Sequence, residues 1–454
     1  MTSPVEPTSQ VKKKISLTTA IAIVVANMIG TGIFTTTGIM ANYLPNSSWI
    51  VTCWLLGGLI ALSGALSYSE LSTRMPEEGG EYVYLKKLYH PVVGFLTGWT
   101  SFFVGFSAPI AGAAISFAAY FLAGSNLVLF EGFLTSGQSL KVIGILVVIL
   151  FTAIHYFGVK FGSIIQNSLT VLKILIILGL SITGILFGGG NIELFSDSMS
   201  FSVAEGGFGV AMMLVMFSYS GWNASTYIAG ELVNPKKTLP RSLISGTLIV
   251  IGLYLLLNIF ILKEVPFQDI RDSIAIVEQV STHAFGSWVG DIFGLLISIA
   301  LLSSLSAFII IGPRVYYAMA IDKMFFSFAS RISPKYEVPG YSILVQGLLA
   351  VFMVLVGTFE QLLIYIGFAL NIFPWLAVFG LFLARKRKIG EEFAVKTWGY
   401  PVIPIFFLIS SFLIMVAAFI NRPVESITAI VTVLVGIPIY YLMMVNVKKK
   451  RDGV

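Results

Sequence analysis

The sequence is poor in charge and nearly devoid of cysteine and histidine. Only 11% of its 454 residues are charged, against roughly 25% in a soluble domain. That scarcity excludes an ordinary soluble enzyme, a disordered chain and a nucleic-acid reader. The single cysteine, Cys53, cannot close an internal disulfide, and three histidines offer little material for a metal site. No nucleophile–base pair, Walker loop or metal-ligand spacing is present, so no catalytic residue, metal or cofactor is expected. What is abundant is apolar or small: 57% hydrophobic residues, 43 Gly, 36 Phe and 18 Tyr. Small residues let membrane helices pack closely and aromatic rings collect at interfaces, so the chain reads as an all-α integral membrane protein. Its first apolar run lacks a cleavage-site region and reads as an uncleaved anchor.

A membrane helix needs about 20 predominantly apolar residues. Residues 15–69 contain no charge and hold two helices broken near Pro45-Asn46, and 91–130 reads as one long tilted helix. Further spans fall at 142–159, 161–187, 206–230, 242–262, 292–313, 338–359, 361–384, 397–421 and 426–447, twelve in all. With the N-terminus inside, the inner segments collect 23 of the 28 Lys and Arg residues. The outer ones hold only Lys141, Lys263, Arg271 and Arg422, and Lys173 falls within a span. Positive charge marks cytoplasmic loops, so both termini are expected in the cytoplasm. Outer segments 188–205 and 263–290 are expected to carry short interfacial helices, and inner segment 320–339 a helix lying at the membrane surface. The Ser/Thr/Pro-rich first dozen residues read as disordered.

Two spans look interrupted. Met28-Ile29-Gly30-Thr31-Gly32-Ile33-Phe34 places two glycines halfway along span one. Phe217-Ser218-Tyr219-Ser220-Gly221-Trp222-Asn223 does the same to span six with two serines, a Gly and an Asn. Interrupted backbone survives in a membrane only beside protein or a watery cavity. Breaks at matching places in two halves are a pointer to a transporter site. Free amides at a half-helix start can hold a carboxylate, and free carbonyls at a half-helix end can hold an ammonium. Such a backbone suits a zwitterionic amino acid. Gly30 and Gly32 serve close helix packing equally well on spacing alone; the second break favours a site.

Lys173 lies near the centre of span five, where insertion costs about 2.5–3.5 kcal/mol, too far from either interface to snorkel. Its ammonium is expected to bond to the carbonyls freed near Gly30 and to stand where a coupling cation would bind. Ser303, Ser304 and Ser306 of span eight read as bonding back to their own helix, although serines can also coordinate sodium. Tyr254 and Asn258 share one face of span seven, directed to either the cavity or a neighbouring helix. His155 is expected at an interface, and Glu70, Glu231 and Arg314 in ion pairs closing inner helix ends.

Gly30-Thr31-Gly32-Ile33-Phe34 in a broken first helix resembles the signature of the amino acid–polyamine–organocation superfamily. The run from Ser69 to Tyr84, with Glu70-Leu71, Pro76, Gly79-Gly80, Tyr82 and Tyr84, is similar to that superfamily's E-L-x(4)-P-x(2)-G-G-x-Y-x-Y pattern. Phe217 to Asn223, followed by Glu231-Leu232-Val233-Asn234-Pro235 and Leu239-Pro240-Arg241, is similar to its L-type amino acid transporter branch. The resemblance implies a five-plus-five inverted repeat of twelve transmembrane helices, with helices 1 and 6 broken and two extra C-terminal helices. The corresponding divisions are a cytoplasmic tail at 1–14, first repeat 15–192, second repeat 193–384, helices 11 and 12 at 385–447, and a tail at 448–454. It implies that Thr31, Gly32 and Ile33 offer amides to the substrate carboxylate. Met28 and Ile29 would offer carbonyls to the amine, with the backbone at Phe217, Ser218 and Ser220. Phe217 matches an aromatic gate and Asn223 a polar substrate contact. Lys173 aligns with the span-five lysine that replaces a sodium site, and Tyr254 with a span-seven tyrosine near it. Ser220 departs from the Gly or Asp of many relatives. Cys53 lies outside the segment of the animal relatives' linking cysteine, so no disulfide-linked glycoprotein partner is expected.

The expected function is sodium-independent exchange of small or medium neutral L-amino acids across the cell membrane by alternating access. The alternatives are a proton-coupled permease, extending to cationic amino acids or polyamines, and, from another class, an ion channel. No acidic side chain in the spans offers a partner for a second positive charge, and no filter ring or pore-lining charge is evident.

Overall fold

The computed structural model describes residues 15–77, 79–125, 136–158, 163–190 and 207–451. Expectations for 1–14, 126–130 and 191–205 fall outside these residues. The regular structure of the described residues is helical, apart from one isolated parallel bridge between Ile15 and Leu232. In order the helices are α1 (Leu17–Met28), α2 (Thr31–Met40), α3 (Ser47–Arg74), α4 (Glu81–Leu88), α5 (Pro91–Thr100) and α6 (Ala108–Ser125). Next come α7 (Ser136–Tyr156), α8 (Ser163–Phe187), α9 (Gly207–Ser218), α10 (Pro235–Glu264) and α11 (Ile276–Phe285). The last are α12 (Ser287–Ile321), α13 (Gly340–Val356), α14 (Phe359–Lys386), α15 (Val402–Asn421) and α16 (Pro423–Arg451).

Among the described residues ten helical stretches are long and apolar enough to cross a membrane, counting α1 with α2 and α5 with α6. The apolar helices α9 and α13 are shorter, and their places match spans six and nine. The long third span is continuous to Ser125, with a π-helical stretch at Ser101–Ser107 joining α5 to α6. Helix starts follow their caps: Asn46 accepts from the Trp49 amide and Thr358 forms a capping box with Gln361. Pro240, Pro313, Pro374 and Pro438 lie inside helices, which neighbouring helices in a membrane bundle permit. Pro313, read from sequence as a helix end, is therefore interior, and α12 continues to Ile321.

Segment 320–339 corrects an expectation: beyond the end of α12 at Ile321 it holds no α-helix, only a short 3-10 turn at Ser327–Ser330. Left-handed backbone at Lys323 and Glu337 interrupts any longer helix, and Phe325 turns inward against Phe102 and Tyr316. The outer segment after α10 carries α11, as expected.

Loops assigned to the same side of the membrane meet. At the end assigned to the cytoplasm, buried Glu70 receives hydrogen bonds from Arg74 Nε at 2.9 Å, Arg385 Nε at 2.9 Å and the Thr397 amide at 2.8 Å. At the end assigned to the outside, Tyr43 and Arg422 from two loops meet Glu360 in the first turn of α14, and Asn42 Nδ2 donates to Asp272 at 2.6 Å. Glu70 thus forms the expected closing pair. Glu231 and Arg314 form no ion pair among the described residues.

Candidate functional site

Both predicted interruptions are present, and they meet. α1 ends at Met28, Ile29 and Gly30 depart from helical geometry, and α2 starts at Thr31. α9 ends at Ser218, and after an irregular stretch a 3-10 helix runs from Ala224 to Glu231. Gly221 carries the turn with φ of +94°, a conformation natural only to glycine, and a side chain there would press on the Asn27 carbonyl.

Contacts between the breaks are close and specific. A Cβ built on Gly32 would fall 2.7 Å from Ser218 Cα, so the start of α2 packs directly on the end of α9. The Thr36 and Ser218 hydroxyls are 2.9 Å apart. The Tyr254 hydroxyl, from α10, lies 2.5 Å from the Met28 carbonyl oxygen and 3.1 Å from that of Ser218, donating between the two. Its ring is held by Trp54 and Tyr219 at centroid distances of 5.4 and 5.0 Å. Asn258, one turn on, accepts from Thr37 Oγ1 at 2.5 Å and donates to the Tyr254 carbonyl. Tyr254 and Asn258 therefore bind the broken helices.

The first amides of α2, at Thr31, Gly32 and Ile33, have no side-chain cap, which leaves donors free at a positive helix end. Beside them Gly30 faces open space: a Cβ there would meet nothing within 4 Å. Gly30, Ser220 and Gly221 keep partial accessibility, whereas Met28, Ile29, Ile33, Phe217 and Ser218 are buried. Gly32 thus serves packing and Gly30 borders the accessible space. The Met28 carbonyl accepts from both Tyr254 and the Gly30 amide.

Lys173 is buried as expected, but its ammonium donates to Ser304 Oγ of α12 at 2.6 Å. The carbonyls near Gly30 are not its partners, because α8 packs on α10 and α12. His155 is likewise corrected: it is buried, with Nε2 2.9 Å from Ser306 Oγ. Of the three α12 serines, Ser303 bonds to the Ala300 carbonyl of its own helix, while Ser304 and Ser306 take side-chain partners.

Sequence reasoning missed Asn27, exposed beside Gly221, and the role of Glu81. Asn223 does not simply face the space between the breaks; its Nδ2 donates to Glu81 Oε1 at 2.6 Å. Glu81 stands in the Gly-Gly-Glu-Tyr run already noted, but its contact joins residues 142 positions apart.

Discontinuous helices meeting at mid-membrane are the arrangement that transporters use for ions and small zwitterions. The family model described as amino acid permease matches residues 15–446. The chain belongs to the amino acid permease family. It is 32% identical to the serine/threonine exchanger SteT of Bacillus subtilis (strain 168), over 97% of this chain and 98% of that protein. Identity to the b(0,+)-type amino acid transporter 1 of Mus musculus is 26%, covering 96% of this chain and 89% of the relative. The Asc-type amino acid transporter 1 of Mus musculus is 25% identical over 95% and 81%. This amino acid permease is accordingly a multi-pass membrane transporter, and its named relatives are transporters and exchangers.

Proposed function

We propose that this permease exchanges small or medium neutral L-amino acids across the cell membrane without sodium, by alternating access. The observation that carries the reading is the meeting of the two breaks, with uncapped α2 amides beside the open space at Gly30. A substrate carboxylate fits the amides of Thr31, Gly32 and Ile33. Its ammonium fits carbonyls from Ile29 and the Phe217–Ser220 stretch, with Met28 and Ser218 shared with Tyr254. Phe217 closes over the substrate, and Asn223 and Ser220 shape its side-chain pocket. Lys173, tied by its side-chain nitrogen to Ser304 in the span-five to span-eight contact, is assigned the place of the lysine that stands in for a coupling sodium ion.

The same reading assigns two five-helix repeats, 15–192 and 193–384, with the shorter α9 and α13 completing twelve spans and both termini in the cytoplasm. No disulfide-linked glycoprotein partner is proposed, since Cys53 is fully buried in α3. The exchanger names of SteT and its identity across nearly the whole chain support antiport. A proton-coupled permease is the second reading, favoured by the buried Glu81 beside Asn223. Radiolabelled L-serine uptake into proteoliposomes separates them. Preloading with unlabelled L-serine should accelerate uptake, and replacing sodium by choline should leave it unchanged. Uptake that follows an imposed pH gradient without trans-stimulation would establish the second reading instead.

A further inference from the structure

Glu81 opens α4, in the loop after the second span, yet it is only 8% exposed. Its Oε1 accepts from the Tyr68 hydroxyl of α3 at 2.8 Å and from Asn223 Nδ2 of the second break at 2.6 Å. The groups facing it are Tyr68, Tyr84, Asn223 and Tyr227. Among the described residues no cation pairs with it. The preceding Gly80, with φ of +49°, brings the loop so close that a Cβ there would lie 2.7 Å from Thr226 Oγ1. The Gly79 amide donates to the Tyr227 carbonyl at 3.3 Å. One side-chain knot and one backbone contact therefore seal this loop to the inner half of span six.

We propose that Glu81 is a positioning residue of the transport cycle: it fixes Asn223 and the inner half of span six when this contact closes, takes up a proton on closing and returns it on opening. The proposal rests on the exchanger reading for its consequence in transport. Burial without a cation disfavours the charged form, pushing the Glu81 carboxyl up to about 7 against the opposing hydrogen bonds from Tyr68 and Asn223. A neutral carboxyl keeps both contacts by accepting through its carbonyl oxygen. Opening the loop to water returns the group to its ordinary 4.5. Because the closed contact has the raised value, protonation stabilises closure fully below about 4.5 and loses that effect as pH rises through about 7. Acid on the cytoplasmic side therefore holds the contact shut.

The test uses full-length protein in proteoliposomes with internal pH varied and external pH fixed. Wild-type L-serine exchange should rise about tenfold between about pH 6 and about pH 8, following the ionised fraction. Glu81→Gln, which imitates the neutral acid, should stay at the slow acid-side rate throughout. In parallel, infrared spectra of the purified protein should show a protonated-carboxyl band that titrates near 7 in wild type and is missing in Glu81→Gln. A flat wild-type profile, a Glu81→Gln profile that titrates like wild type, or absence of the band would overturn the proposal. A wild type that shows the titrating band but no exchange would instead refute the transport reading and leave Glu81 as a proton-binding contact.

Discussion

Gly30 and Gly32 should respond in opposite ways when each is given a methyl group. At Gly32 the new Cβ would meet Ser218 Cα at 2.7 Å, a backbone atom that no rotamer change can move. Overpacking of this kind costs about 1–3 kcal/mol, offset by about 1 kcal/mol of helix propensity gained over glycine. Gly32→Ala should therefore lower the melting temperature of the detergent-purified protein. At Gly30 the Cβ would enter space with nothing within 4 Å, and its negative φ admits alanine. Stability should stay within about 0.5 kcal/mol of wild type. The methyl group would, however, stand where a carboxylate must approach the α2 amides. Losing hydrogen bonds to a charged group costs about 1.5–3 kcal/mol, roughly a 10- to 150-fold weakening of L-serine binding. Equilibrium binding alongside thermal unfolding reads both effects. Gly30→Ala protein that melts and binds like wild type would refute the assignment of the amide end as the carboxylate site.

Other substitutions address the remaining parts. Tyr254→Phe keeps the ring contacts with Trp54 and Tyr219 but strips the Ser218 carbonyl of its donor, while Met28 retains the Gly30 amide; thermal unfolding should show a loss of roughly 1 kcal/mol, and exchange should slow. Phe217→Ala should slow exchange far more than it weakens equilibrium binding, because a gate acts on occlusion, and equal losses would make Phe217 a pocket wall. Lys173→Ala severs the contact between α8 and α12 at Ser304 and should impair exchange with L-serine binding largely kept; undisturbed exchange would remove Lys173 from the mechanism.

Much of this fold is readable from sequence because the membrane imposes one rule on every segment. Backbone groups without water must bond within their own helix, so an apolar run such as 361–384 becomes a helix with little ambiguity. The breaks are readable for the same reason: Gly30-Thr31-Gly32 and Ser218-Tyr219-Ser220-Gly221 are the few places where the rule is suspended. Partners are harder to read, because they depend on which helices pack together. Charge logic alone directs Lys173 to the Gly30 carbonyls, yet α8 lies against α12 and the side chain meets Ser304. His155 looked interfacial by position, but α7 turns it onto Ser306. Glu81 lies within the Gly-Gly-Glu-Tyr run, and nothing in that run points to Asn223, because the contact is made by tertiary packing alone. Segment 320–339 failed differently: its mixed polar and aromatic composition described a surface helix, while Phe325 and left-handed turns took it inward.

The polar contacts around the breaks differ in what opening them would cost. Glu70 is fully buried and held by Arg74, Arg385 and the Thr397 amide. Removing Glu70 would leave the buried Arg74 guanidinium and Arg385 without their shared counter-charge, which is expensive in a low-dielectric interior. That cluster suits a joint that stays closed through the cycle, tying α3 to the segment after α14. Asn42 and Asp272 sit at an exposed surface, where water replaces either partner at a cost of about 0–1 kcal/mol. Glu81 stands between these extremes. It is buried like Glu70 but has no cation partner among the described residues, so protonation provides a way to close over it without stranding a charge. A contact of that kind can be remade in every cycle, because the energy of burial is set by proton concentration as well as by packing. Rigid joints built on compensated charge and movable contacts built on neutral or exposed groups would let the two broken helices rock together. The backbone site between them would then change the side it faces while keeping its own geometry.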